Sequence, residues 1–101
     1  KEYRRQRQMC IRDSNLISAH CNIEHHNSLG NHCTFGPGVM MSGTVSIGDQ
    51  VKFGTGIFVE PGVKIGNQSI VSSGCIITKH IPENSIAFMK AGELKLKETA
   101  S

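Results

Sequence analysis

Apolar residues recur at every sixth position through the middle of the chain. The series keeps one phase without interruption: Ile17, Ile23, Leu29, Phe35, Met41, Ile47, Phe53, Val59, Ile65, Val71 and Ile77. The residue two places earlier is mostly small or β-branched, which suits a narrow strand interior, and the residue just after is mostly small, which suits a sharp corner. Each hexad therefore predicts one short strand followed by one corner.

An inward-facing residue every six positions can point to a common axis only if the chain turns once per hexad. Three strands then close a triangular coil of eighteen residues, and the hexads supply about three and a half such coils. A period of six is typical of the left-handed form. We predict an all-β fold, a left-handed parallel β-helix over residues 15–82, in which stacking between coils supplies the stability.

The two ends of the chain depart from the hexad pattern. Residues 1–14 contain five basic and two acidic side chains, and we expect them to be a basic leader that does not belong to the fold. Pro82 stops the pattern near the other end. Residues 83–101 form a predicted C-terminal extension, a short tail or helix, because Glu93 and Lys97 have the i, i+4 spacing of a helical ion pair.

The charge, the apolar runs and the cysteines of the sequence limit the kinds of ligand and compartment that we expect. The net charge of +3 comes from the leader, since the rest of the chain balances six lysines against six acids, and this argues against nucleic acid. No apolar run reaches the length of about 18 residues that a membrane span needs, so we expect a cytoplasmic protein. Cys21, Cys33 and Cys75 fall in the small interior column without a C-x-x-C pair, which predicts reduced core cysteines and no metal.

Positions eighteen residues apart should stack, which turns the sequence into a map of the surface. Gly38, Gly56 and Gly74 then form one column, with His20 in the same phase. Stacked glycines would leave bare backbone along which an extended ligand could lie. Glycine is also simply common at such bends, and the sequence leaves both interpretations open.

His25 has Gly43 in the next coil and Pro61 in the one after that. The imidazole would therefore have open space beside it and a backbone amide within reach. This pairing suits a general base next to an oxyanion-stabilising donor. An ordinary surface histidine fits the same position.

Six segments of the hexad region have a characteristic sequence: IEHHNSLG (23–30), FGPG (35–38), SGTVSIGD (42–49), GTG (54–56), EPGVKIG (60–66) and TKHIPENS (78–85). Together they resemble the hexapeptide-repeat acyltransferases, in particular the sugar O- and N-acetyltransferases related to sialic acid O-acetyltransferase and to the bacterial UDP-amino-sugar N-acetyltransferase. The resemblance covers about residues 16–86. It implies that the chain is a carboxy-terminal fragment of a longer enzyme of this kind.

The resemblance implies direct transfer of acetyl from acetyl-CoA to an amine or hydroxyl of a sugar or nucleotide sugar. His25 would be the general base, and the backbone N–H of Gly43 would meet the thioester oxygen. CoA in this family lies in the cleft between neighbouring β-helices of a homotrimer. The residues that would contact CoA are Gly38, Gly56, Gly74 and Lys79.

Two other functions compete with this one. A β-helix that has lost part of its catalytic apparatus would be a scaffold or binding fragment. A γ-type carbonic anhydrase has the same fold and needs three zinc-bound histidines. His20 and His25 have the short spacing, but His20, His26 and His32 share one hexad phase and should lie on three different sides of the triangle.

Overall fold

A computed structural model of the chain describes residues 10–11, 15–17, 21–23 and 26–99. Short parallel strands follow one another around an axis, and no helix in this part of the chain could cross a membrane. The strands are β1 Cys10–Ile11, β2 Leu16–Ile17, β3 Asn22–Ile23, β4 Ser28–Leu29, β5 Thr34–Phe35, β6 Met40–Met41, β7 Ser46–Ile47, β8 Lys52–Phe53, β9 Phe58–Val59, β10 Lys64–Ile65, β11 Ile70–Val71, β12 Ile76–Ile77, β13 Ser85–Lys90 and β14 Glu93–Glu98.

Every third strand belongs to the same sheet, so the three sheets form the faces of a triangular prism. Face A contains β1, β4, β7 and β10; face B contains β2, β5, β8, β11, β13 and β14; face C contains β3, β6, β9 and β12. From β1 to β12, partners within a face are eighteen residues apart, as in Met40↔Phe58 and Phe58↔Ile76. The eighteen-residue parallel coil predicted from the hexads is confirmed.

The interior consists of the two columns that the sequence predicts. In the strands from β3 to β12 the first residue faces outward and the second is buried. From β4 to β12 the residue two places before it is buried as well, as Val39 and Val45 illustrate. Phe35 stacks on Phe53 with ring centroids 4.6 Å apart, so the wide part of the core is filled by an aromatic pair between coils.

Asparagine and cysteine in the interior column form hydrogen bonds from one coil to the next. Asn15 and Asn27 each accept, through Oδ1, the backbone N–H of the residue eighteen positions later, at 2.7 and 2.8 Å. The thiol of Cys33 donates to the Gly48 carbonyl oxygen at 3.1 Å. Burial raises the pKa of Cys33 and likewise of Cys75, so both remain protonated thiols in the core, as predicted.

The predicted C-terminal helix is wrong, because β13 and β14 form an antiparallel hairpin. The two-residue loop decides this: Ala91 has φ 54° and Gly92 has φ 78°. Positive φ at both central residues is the geometry of the tight hairpin turn whose twist matches that of paired strands. The helical ion pair is replaced as well, since Glu93 contacts Lys95 at 3.0 Å, two residues away.

The hairpin covers the carboxyl end of the coil stack. β13 pairs with β11 in parallel, with Ile70 opposite Ile86 and Val71 opposite Ala87, so face B continues beyond residue 82. Leu94 and Leu96 pack against the core, while the residues between and after them are exposed. At the opposite end, β1 pairs with β4 in the eighteen-residue register, within the segment predicted to be a leader.

At every described corner except the one with His80, the residue three positions after a buried strand residue has the left-handed conformation. Corner AB, between faces A and B, has His32, Gln50, Gln68 and Asn84 there. Corner BC has Gly38, Gly56 and Gly74, and corner CA has His26, Thr44 and Gly62. The three corners therefore share a backbone but differ in the side chains that they present.

Candidate active site at corner CA

Backbone amides at one position of the corners are capped by side chains of the following coil. The position lies two residues after the buried strand residue. Asn31 N–H donates to Asp49 Oδ1 at 2.8 Å, and Asp49 N–H donates to Asn67 Oδ1 at 2.8 Å. Thr55 N–H donates to Ser73 Oγ at 2.9 Å. A side-chain oxygen eighteen residues later therefore satisfies each of these three donors.

Gly43 occupies this position at corner CA, and its amide is not capped. The residue eighteen positions later is Pro61, whose side chain has no hydrogen-bond acceptor. No described residue accepts the Gly43 N–H. The carbonyl oxygen of Gly43, by contrast, accepts from the Gly62 N–H at 3.2 Å and from Thr44 Oγ1 at 2.6 Å. Gly43 is thus held through its carbonyl oxygen and offers a free donor at its N–H.

The structure leaves the predicted general base untested, because His25 lies outside the described residues. The flanking register is described: β3 pairs with β6, with Ile23 opposite Met41. In the sequence, His25 follows Ile23 by the same two residues by which Gly43 follows Met41. The role of His25 therefore remains a prediction based on sequence position.

The predicted glycine column is present at corner BC. Gly56 donates to the Pro37 carbonyl oxygen at 2.9 Å, and Gly74 donates to that of Thr55 at 2.8 Å, so the coils are joined through their backbones. A Cβ placed on Gly56 or Gly74 would meet no atom within 4 Å. The column is thus open to a ligand, but nothing in its packing requires one.

Gly43 and the glycine column lie on different corners, separated by face C. Lys79 follows β12 of face C and precedes Ile81, which bridges to Ile65 of face A, so it lies at corner CA with Gly43. The four residues predicted to contact CoA are therefore not brought together within one chain.

Face C also carries a row of exposed apolar side chains that the hexad pattern does not predict. Met40, Phe58 and Ile76 stack in register and are 45%, 41% and 50% exposed. The sequence does contain this row, because each of the three residues directly precedes a buried hexad residue and they are eighteen residues apart. It becomes visible only once the outward position of each strand is known.

Face A has a groove of about 660 Å³ on the other side of corner CA. Ser46, Lys64 and His80 are among its lining residues. His80 Nδ1 accepts the Lys64 backbone N–H at 3.0 Å, which places the proton of the neutral imidazole on Nε2. The groove therefore offers hydroxyl, ammonium and N–H donors.

Among the described residues, no three His, Cys, Asp or Glu side chains come close enough together to hold a metal ion. His32 lies at corner AB and His26 at corner CA, so these two do not converge, as their shared hexad phase predicts. His20 lies outside the described residues. The described part of the chain thus contains no candidate zinc centre.

Comparison with solved structures identifies the fold. PerB of Caulobacter crescentus, in complex with CoA and GDP-perosamine, matches with a TM-score of 0.66 and 23% identity over 86% of this chain and 56% of that one. Serine acetyltransferase isoform 3 of Entamoeba histolytica matches with a TM-score of 0.78 and 22% identity, over 90% of this chain and 36% of that one. A hexapeptide-repeat acetyltransferase of Vibrio cholerae, in complex with acetyl-CoA, matches with a TM-score of 0.67 and 11% identity over 99% and 76%.

The fold is that of hexapeptide-repeat acetyltransferases. The predicted left-handed parallel β-helix is thereby confirmed. The chain spans about half the length of PerB. No family model and no curated protein sequence matches this β-helix.

Proposed function

We propose that this β-helix transfers acetyl from acetyl-CoA directly to an amine or hydroxyl of a sugar or nucleotide sugar. The observation that carries the proposal is the uncapped N–H of Gly43, at the corner where the sequence places His25. Solved structures of the same fold support the ligand class, since PerB is in complex with CoA and GDP-perosamine. The subgroup of sugar O- and N-acetyltransferases is the one that the sequence segments resemble.

The reaction follows from these two groups. The acceptor nitrogen or oxygen attacks the thioester carbonyl carbon while His25 takes its proton. The oxygen of the tetrahedral intermediate accepts a hydrogen bond from the Gly43 N–H. This donor needs no reorganisation, because the carbonyl of the same residue is already held by Gly62 and Thr44. The carbon–sulfur bond then breaks, and the His25 imidazolium returns the proton to the CoA thiolate. The donors on face A are placed to bind the acceptor.

We further propose that the active protein is a homotrimer with CoA in the cleft between neighbouring β-helices. Within one chain the glycine column and Gly43 lie on opposite sides of face C. A second copy that covers the apolar row of face C would bring the glycine column of one subunit next to corner CA of another. The glycine column and Lys79 then serve one CoA molecule from two subunits.

Phe58→Glu should convert the trimer to monomers at micromolar concentration, because it would bury a charge in the apolar row of face C. Sedimentation equilibrium measures the change. Thr34→Glu is the matched control, since Thr34 has the same outward strand position on face B. A Phe58→Glu protein as trimeric as the control would exclude face C as the interface.

Gly56→Gln should weaken CoA binding by about tenfold or more by filling the glycine column. The fold should survive, because Gln50 and Gln68 adopt the same left-handed conformation at corner AB. The stability cost should be about 1–2 kcal/mol, the usual penalty for a side chain in that conformation. Calorimetric titration with CoA and thermal unfolding measure both effects.

Gly92→Gln is the control for the Gly56 experiment. Gly92 has φ 78° and open space around its Cβ position, but it lies in the hairpin turn. It should lose comparable stability and keep its CoA affinity. If the Gly56 and Gly92 variants bind CoA equally well, the glycine column does not hold the cofactor.

A further inference from the structure

Corner AB contains a column of residues other than glycine whose backbone has the left-handed conformation, which glycine adopts more easily. His32, Gln50, Gln68 and Asn84 have φ between 58° and 61°, whereas the three described residues in the matching column of corner BC are all glycine. A side chain in this region costs free energy at each position. These residues are exposed, so burial in the core does not account for them.

The two glutamines form a ladder along the prism axis. Gln68 Nε2 donates to Gln50 Oε1 at 2.9 Å. Each carboxamide uses one of its two ends in this bond, so Gln50 keeps an NH₂ donor and Gln68 keeps an acceptor oxygen. Neither of these ends has a partner among the described residues. The ladder holds both side chains in place with their unused groups available to a ligand.

A groove of about 650 Å³ runs beside the ladder. Besides the four residues of the column, it is lined by Lys52, Ile70 and Thr99, and no acidic side chain is among these described lining residues. Ile70 is 37% exposed and provides an apolar surface between polar groups. The groove therefore combines neutral donors and acceptors, one cation and one apolar contact.

The spacing of the column discriminates between extended ligands. Successive coils are separated by about 4.8 Å, the usual distance between neighbouring strands. A peptide strand lying along the axis would repeat its like-facing groups about every 6.8 Å and would lose register within two coils. Hydroxyl groups across a pyranose ring are separated by a distance comparable to the coil spacing, and each hydroxyl can both donate and accept.

We propose that corner AB binds an oligosaccharide that carries a carboxylate. Its hydroxyls would bond the free ends of Gln50 and Gln68, the C–H face of one ring would lie on Ile70, and the carboxylate would pair with Lys52. Face A separates this corner from Gly43, so the groove is an anchoring site apart from the site of acetyl transfer.

Replacing Gln50 and Gln68 together by glycine tests the site. Glycine already occupies the equivalent positions of corner BC, so the double variant removes both carboxamides while keeping the backbone conformation. Affinity for trigalacturonate, measured by calorimetry without acetyl-CoA, should fall about tenfold or more, as expected for the loss of two hydrogen-bonding groups. Ala91→Gly, which likewise replaces a residue of positive φ by glycine but lies in the hairpin turn, should leave the affinity unchanged.

A second variant tests the charge requirement independently of the ladder. The wild-type chain should bind trigalacturonate more tightly than neutral maltotriose, and Lys52→Gln should remove most of this preference. Absence of trigalacturonate binding by the wild-type chain would overturn the proposal. So would equal binding by the wild-type and double-glycine proteins. Because acetyl-CoA is absent, neither result bears on the proposed transfer reaction.

Discussion

Gly43→Pro is expected to lower kcat for acetyl transfer about a hundred- to a thousand-fold, the usual loss when one oxyanion donor is removed. Proline replaces the N–H by a ring carbon, so the hydrogen-bond donor is lost. The corner should accept it, because Pro37 at corner BC and Pro61 in the next coil of corner CA occupy the same hexad position. Since no described residue uses the Gly43 N–H, its removal should cost no hydrogen bond within the described fold.

Acetyl-CoA-dependent release of free thiol, measured with amino-sugar nucleotides, gives kcat for this comparison. Gly43→Ala retains the N–H and is the matched control, which should keep most of the wild-type rate. Thermal unfolding should show that both variants remain folded. A proline variant as active as the alanine variant would show that the Gly43 amide does not stabilise the transition state.

His25→Ala is expected to lower kcat about a hundred- to ten-thousand-fold, the usual contribution of a general base. Affinity for CoA should change little, because the proposed contacts to CoA come from the glycine column and Lys79. The wild-type rate should rise as the pH is raised through the range in which histidine loses its proton. This rise should be absent in the variant.

His26→Gly is the control for His25. His26 is the adjacent exposed histidine and has φ 63°, so glycine fits its backbone and only the imidazole is removed. The kcat of the His26→Gly variant and its pH dependence should stay close to those of the wild-type protein. Equal rates for the wild-type chain and His25→Ala would exclude His25 as the base, while CoA binding would still be tested by Gly56→Gln.

The fold could be predicted from the sequence because the length of the hexad matches one strand and one corner of the coil. An apolar residue at every sixth position from Ile17 to Ile77 is typical of a parallel β-helix. The hairpin could not be predicted in the same way, because the helical spacing of Glu93 and Lys97 is a weak signal in so short a segment. Ala91 and Gly92 decide the structure there through their positive φ angles.

The candidate site was only partly predictable. Stacking at eighteen residues correctly predicts the glycine column, but it does not show that face C separates this column from Gly43. The free amide of Gly43 is informative only by contrast with Asn31, Asp49 and Thr55, whose N–H groups are capped. That contrast depends on hydrogen bonds between coils, which no residue pattern reveals by itself.

The C-terminal hairpin ends face B of the coil stack. A parallel β-helix exposes unpaired backbone groups on its last coil, and these could template another copy and lead to fibres. Above β11 of face B, β13 and the antiparallel β14 take up that position, and the exposed side chains of the outer strand are two glutamates and two lysines. An incoming coil would meet a charged strand running in the wrong direction, so on this face the molecule opposes end-to-end polymerisation.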